Sequence, residues 1–208
     1  MERAVCQWAG AQAKIVSLKP DCLADIERDI RSVAEAIGDA AAGERLAGRL
    51  RGRIDAVAEK TAHLRKPRVA FIEWIAPMMS GGNWMPELIA AAGGDNLFGV
   101  AGEHSGYMHF AELAQADPEV IIVAPCGFDI ARTKTEMPLR EGEPAWRGLA
   151  AVRNGRVALA DGNLYFNRPG PGVADTAEII AEILHGSSID YGHRGKGWVA
   201  YDRYFTDM

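Results

Sequence analysis

The residues best suited to hold or transform a small molecule fall in three loops, each directly after a run with strand character. The first reads Glu73-Trp74-Ile75-Ala76-Pro77-Met78-Met79-Ser80-Gly81-Gly82-Asn83-Trp84. Two tryptophans and two methionines make an adaptable apolar surface suited to a large, partly apolar ligand. The Gly81-Gly82 pair lets the backbone approach a partner closely. Trp74 fits a ligand wall and a packed loop equally well, whereas Trp84 is expected in the core. The second loop, Pro125-Cys126-Gly127-Phe128-Asp129, offers a thiol. A nucleophilic role would need a recognisable base and orienting partner, and none accompanies it. A buried structural cysteine is the better reading of Cys126. The third loop, Asp161 to Gly172, supplies rings at Tyr165 and Phe166 and hydrogen-bonding groups at Asn163, Asn167 and Arg168. Its prolines and glycines fix an irregular backbone, which suits a ligand wall. Capping of backbone carbonyls is the alternative role for Arg168.

Other chemistry is poorly represented. The five histidines, His63, His104, His109, His185 and His193, form neither HxxxH nor HExxH. His104 and His109 flank Tyr107 in GEHSGYMHF and read as surface-loop residues rather than metal ligands. No GxGxxG or GxxxxGK[ST] pattern is present. No residue is expected in catalysis, no metal site is suggested, and no cofactor is required.

These loops need elements to position them. Pro67 breaks a preceding helix, and from there strands and helices alternate. Strands are expected at Arg68–Trp74, Glu119–Ala124 and Arg156–Ala160. Helices are expected at Pro86–Ala92, His109–Gln115, Pro144–Val152 and Val173–Leu184. The continuous apolar centre of EVIIVA suggests a strand buried on both faces. Such alternation implies an α/β fold with a mainly parallel sheet between helical layers, an αβα lobe. Ligands of such sheets sit beyond the carboxyl ends of the strands, where the three loops lie. Upstream, KIVSL (Lys14–Leu18) reads as a short strand. Leu23–Ile37 carries apolar residues at spacings of three and four, with Asp21 as its N-cap and Gly38 as its stop. A second helix, Gly43–Leu64, would be roughly 30 Å long. The segment after Gly186 matches no element.

Composition narrows the classes further. A 48% hydrophobic share is enough for a core, and the 25% charged share is ordinary for a globular protein. The net charge of −5 argues against a nucleic-acid partner. Cys6, Cys22 and Cys126 are widely spaced and form no CxxC pair, which favours free thiols. Gln7, Gln12 and Lys14 interrupt the apolar residues near the start, so no signal peptide is read there. No run approaches the ~20 apolar residues of a membrane span. On these grounds alone the chain as written would be cytoplasmic.

Several segments together carry a family resemblance: KIVSLKPDCLADIERDIRSVAEAIG, RVAFIEWIAPMMSGGNWMPELIAAAGG, AELAQADPEVIIVAPCGFD and AWRGLAAVRNGRVALADGNLYFNRPGPG. From about Ile15 to His185 the chain resembles the cobalamin and iron-complex substrate-binding proteins of ABC importers. The resemblance implies two α/β lobes bridged by a long helix, with the ligand between them. Residues 1–42 would be a remnant of the N-terminal lobe, 43–65 the bridging helix, 66–186 the C-terminal ligand-binding lobe, and 187–208 a tail. It implies a non-catalytic binding protein for cobalamin, another corrinoid or a ferric chelate, with Trp74, Tyr107, Tyr165, Phe166 and Arg168 lining the cleft. It further implies an ABC permease as partner, Glu112 as the acidic docking residue on it, and a periplasmic location. A solvated glutamate at a helix start is the alternative role for Glu112. Two competing functions are a small α/β enzyme using Cys126 or a His-rich loop, and an interaction module completed by a partner or by self-association.

Overall fold

The computed structural model describes residues 15–201, together with Gln7. Helices α1 (Leu23–Ala36) and α2 (Ala40–Thr61) form the first unit. On α2 the residues Gly43, Ala47, Leu50, Ile54, Val57 and Thr61 are buried. Their spacings of three and four lay one stripe along a helix of about 33 Å. Gly43 is where α1 and α2 meet: a Cβ there would lie 2.6 Å from Ala34 Cβ.

The sheet follows Pro67. Strands β1 (Arg68–Trp74), β4 (Val120–Val123) and β5 (Val157–Ala160) run parallel in the order β1-β4-β5. Short β2 (Met79–Ser80) pairs antiparallel and β3 (Asp95–Asn96) parallel with β1. Strand β6 (Trp198–Ala200) closes the far edge, antiparallel to β5. Alternate residues face opposite layers, as strand geometry requires. Val69, Phe71, Ile122 and Ala160 pack toward α1, α2, α3 (Met85–Ala91) and α8 (Val173–His185). Ala70, Ile72, Ile121, Val123 and Leu159 pack toward the other layer, with Leu113, Met137, Trp146 and Leu149. This is the three-layer αβα arrangement with a mainly parallel sheet that the alternating pattern predicts.

Several elements differ from the sequence expectation. Ile15–Leu18 is not a strand: no described segment pairs with it, and Ile15 and Leu18 are exposed (Lys14 lies outside the described residues). Asp21 does not cap α1, whose N-cap is Cys22. Asp21 instead donates its N–H to Asp25 Oδ2 and accepts from Asn83 Nδ2. Pro144–Val152 is not one helix. A 3₁₀ turn at Trp146–Gly148 ends at extended Leu149, and α7 (Ala150–Arg153) starts anew. Burial of Leu149 in the core breaks the run, and Asp117 Oδ1 accepts from Ala150 N at 2.6 Å to cap the second piece. Between β4 and this segment lie α5 (Ile130–Glu136), capped by Asp129, and α6 (Pro138–Glu141). Sequence reading had not marked either. Helix α4 (Phe110–Ala116) falls where expected.

The segment after Gly186 is anchored by one buried carboxylate. Glu182 on α8 is 2% exposed. It accepts hydrogen bonds from Tyr191 N at 2.6 Å, His193 N at 3.0 Å and Trp198 Nε1 at 2.7 Å. A buried carboxylate is tolerated when such donors surround it, and this one fastens residues 191–198 to the domain.

Candidate functional site

The carboxyl ends of β1, β4 and β5 open onto a cavity of about 160 Å³. Its wall consists of Glu73, Gly82, Asn83, Trp84, Met85, Cys126, Phe166 and Asn167. All but Met85, the first residue of α3, come from the three loops singled out by sequence. Two glycines allow close packing here, Gly82 of the first loop against residues 103–105 and Gly162 of the third loop against the second. A Cβ on Gly82 would lie 2.3 Å from Glu103 O, and one on Gly162 would lie 2.1 Å from Pro125 O. Asn83 holds a left-handed backbone (φ +50°), a conformation asparagine tolerates better than most residues. Its N–H donates to Glu103 O at 2.6 Å.

Glu73 is the polar centre of the wall. Gly82 N–H donates to Ser105 Oγ at 3.1 Å, and Ser105 Oγ donates to Glu73 Oε2 at 2.8 Å. No described group hydrogen-bonds the other oxygen, Oε1. Burial raises the Glu73 carboxyl above the ordinary glutamate value, against the opposing influence of the Ser105 bond and nearby His104. The Cys126 thiol is also raised, first by burial and then by the charge of Glu73. A raised thiol is a poor nucleophile at neutral pH. Asn167 Nδ2 donates to Ala124 O and Gly162 O, which pins the third loop to the end of β4.

The expected site residues have different fates. Phe166 lines the cavity, but as a buried floor: it is 1% exposed and stacks on Phe71 at 5.6 Å. A short π-helical turn, Gly162–Phe166, rotates it inward. Arg168 is exposed and lies in a shallow adjoining depression with Leu164 and Pro169–Gly172. It donates to Asn163 O and Asn163 Oδ1, so the carbonyl-binding alternative describes its present contacts. Tyr165 is half-buried with its ring edge-on to His193. Trp74 is half-buried, packs against Phe128 at 5.2 Å, and stands outside the cavity wall. Tyr107 is 75% exposed and also stands outside it. Trp84, expected in the core, is instead half-buried on the wall. Cys126, expected to be buried, is exposed. Cys22 is a free thiol too, and Cys6 lies outside the described residues. Glu112 is exposed at the start of α4, where its Oε2 accepts from His109 N at 2.7 Å.

Glu73, Ser105 and Asn83 were missed as site residues. Glu73 and Ser105 are 32 positions apart and meet only through the loop packing at Gly82. The usable signal was Glu73's place at the end of a buried strand.

Asp175, Glu178 and His193 bring three metal-capable atoms within 4.8 Å of one another. Arg53 Nη2 already bridges Asp175 at 2.5 Å and Glu178 at 2.9 Å, so both carboxylates are engaged in an ion-pair cluster. A larger depression of about 330 Å³ lies between α1, the start of α2 and Pro169–Pro171. Its lining is apolar apart from Asp29, so it lacks the convergent polar groups of a small-molecule site.

The cavity is walled by loops at the carboxyl ends of a parallel sheet, the place where ligands of such sheets sit. The chain belongs to the periplasmic binding protein family, whose model matches residues 7–164. Members of this family are non-enzymatic transport components, and the chain is accordingly not an enzyme. No curated protein sequence matches it. Solved structures of similar fold include an ABC transporter substrate-binding protein from Listeria monocytogenes, with 19% identity, a TM-score of 0.74, and coverage of 88% of this chain and 71% of that one. The periplasmic vitamin B12-binding protein of Vibrio cholerae is 21% identical with a TM-score of 0.64, over 88% and 68% of the two chains. IsdE of S. aureus, solved in complex with heme, is 15% identical with a TM-score of 0.73, over 88% and 73%. The chain thus spans only part of the length of each.

Proposed function

We propose that this chain is the ligand-binding lobe of a substrate-binding protein that serves an ABC importer, and that its ligand is a metal complex of the corrinoid or iron-chelate type. The observation that carries the reading is the cavity at the ends of β1, β4 and β5, built from all three ligand-suited loops. At about 160 Å³ it is smaller than the roughly 300–1,000 Å³ of pockets that enclose a whole drug-sized ligand, too little for a macrocycle. The ligand therefore lies over the cavity and sends one group into it. The exposed ring of Tyr107 and the Trp74–Phe128 pair surround the strand ends as apolar surface for the remainder. Proteins of the same fold that bind vitamin B12 or heme support this ligand class. By the same family argument the site of action is the periplasm and the partner is a permease, with exposed Glu112 as the docking carboxylate.

The test is calorimetric titration with cyanocobalamin, hemin and a ferric hydroxamate, against the wild type and Cys126→Trp. Cys126 is exposed on the wall, so the added ring fills the cavity without disturbing the core. Saturable binding that Cys126→Trp removes supports the reading. No binding of any complex refutes it.

The apolar depression bordered by exposed Leu18, Val33 and Ile37 favours a second role, as a contact surface for another copy of the chain. A monomer at all concentrations in light scattering would rule out that pairing.

A further inference from the structure

The chemistry of the cavity wall points to which group of the ligand enters it. Among the described residues the wall carries one carboxyl, two amides, a thiol and the unpartnered indole N–H of Trp84, and no lysine or arginine. Glu73 offers an unpartnered oxygen, Oε1, while Ser105 secures the other. Of Asn167, the amide nitrogen is committed to Ala124 O and Gly162 O. Asn83 Nδ2 is likewise committed, to Asp21 Oδ1 at 3.0 Å. Both N–H donors of Asn167 and one of the two on Asn83 are thus consumed by the loops themselves, and the acceptor oxygens remain. Two arginines lie on neighbouring segments, and both are engaged. Arg168 donates to Asn163, while Arg132 pairs with Glu136 and stacks over Phe128.

Resting on the function proposed above, we infer that the cavity selects complexes that present a hydrogen-bond-donating neutral or cationic arm, such as a carboxamide or an ammonium group, and rejects complexes that present carboxylate or catecholate groups there. An entering anion would meet Glu73 with no lysine or arginine on the wall to offset either charge, and like charges so close oppose binding. An entering ammonium or amide N–H would donate to Oε1 in a partly desolvated site, where such bonds are strongest.

The experiment measures affinities of the intact chain for four probes: ferrioxamine B with its ammonium arm, cyanocobalamin with its carboxamide arms, hemin with its carboxylates, and a ferric tris-catecholate. Wild type is compared with Glu73→Gln, which keeps the size of the side chain and an acceptor for Ser105. The first two probes are expected to bind at least about tenfold more tightly than the last two. Glu73→Gln is expected to weaken ferrioxamine B by about tenfold, the factor that 1.4 kcal/mol represents. Wild-type affinity for ferrioxamine B should also rise with pH as Glu73 ionises. His104 and Cys126 are the other ionisable groups beside it. Loss of that slope in Glu73→Gln assigns the effect to Glu73. Tighter binding of hemin or the catecholate, or an unchanged ferrioxamine B affinity in Glu73→Gln, overturns the inference and leaves the proposed function standing. Failure of all four probes to bind refutes the proposed function and this inference with it.

Discussion

Removal of the Glu182 carboxyl should loosen the end of the chain and destabilise the whole domain. Glu182→Ala strands three N–H donors, those of Tyr191, His193 and the Trp198 indole. Each buried donor left unpaired costs about 1–3 kcal/mol, so the simple sum is roughly 3–9 kcal/mol. Residues 190, 192 and 194–196 are exposed, so the segment can lift and admit water to the stranded backbone groups. The indole of Trp198, 8% exposed, has less freedom to do so. The expected loss is therefore about 3–5 kcal/mol, the range for breaking a buried charged network. For a chain of this size about 2–4 °C of melting temperature goes with each kcal/mol, so the midpoint should fall by roughly 6–20 °C. Chemical denaturation gives the free energy, and limited proteolysis should show new cleavage within residues 187–201. A loss below about 1 kcal/mol, with no new cleavage, would refute the assignment of Glu182 as the anchor.

Three further outcomes follow from the same geometry. Gly82→Ala should displace the chain at Glu103–Ser105, because its Cβ would sit 2.3 Å from Glu103 O; ligand binding should drop by tenfold or more while the circular dichroism spectrum is kept. Cys126 should react slowly with iodoacetamide at pH 7 despite its exposure, and faster in Glu73→Gln, where burial still raises its pKa but the added effect of the Glu73 charge is gone; equal rates in the two proteins would contradict the coupling. Glu73 has its folded-state pKa raised, so the folded form holds a proton that the unfolded chain releases earlier. Its contribution to stability is therefore complete below the ordinary glutamate value and is lost as pH rises toward the folded value. Melting temperatures taken through that window should fall more for wild type than for Glu73→Gln.

How legible the molecule was depends on whether a feature is carried by neighbours in sequence or by partners far apart. Strand β1 was legible at both ends because Pro67 stops the helix before it and its apolar run is continuous. Helix α8 shows the same local clarity, with an apolar stretch from Val173 to Leu184. The strand-end loops could be placed because a parallel sheet fixes where ligands sit. Which residues of those loops face the cavity was another matter. Phe166 and Trp84 both reach the wall with other burial than expected: a π-helical turn buries the first against Phe71 as the cavity floor, and the Gly82–Asn83 turn leaves the second half-buried there. The Glu73–Ser105 bond has no local signature. Strand β6 was invisible because it owes its position to Glu182, 16 residues before Trp198 and on another element. The break at Leu149 likewise depends on a distant cap, Asp117, 33 residues before Ala150.

The measurement that bears most directly on the central claim is the titration of the purified chain with cyanocobalamin, hemin and a ferric hydroxamate, repeated on Cys126→Trp. Saturable binding of at least one complex, lost when the cavity at the ends of β1, β4 and β5 is filled, is the expected result. Binding that survives Cys126→Trp would contradict the site, and no binding of any complex would contradict the function.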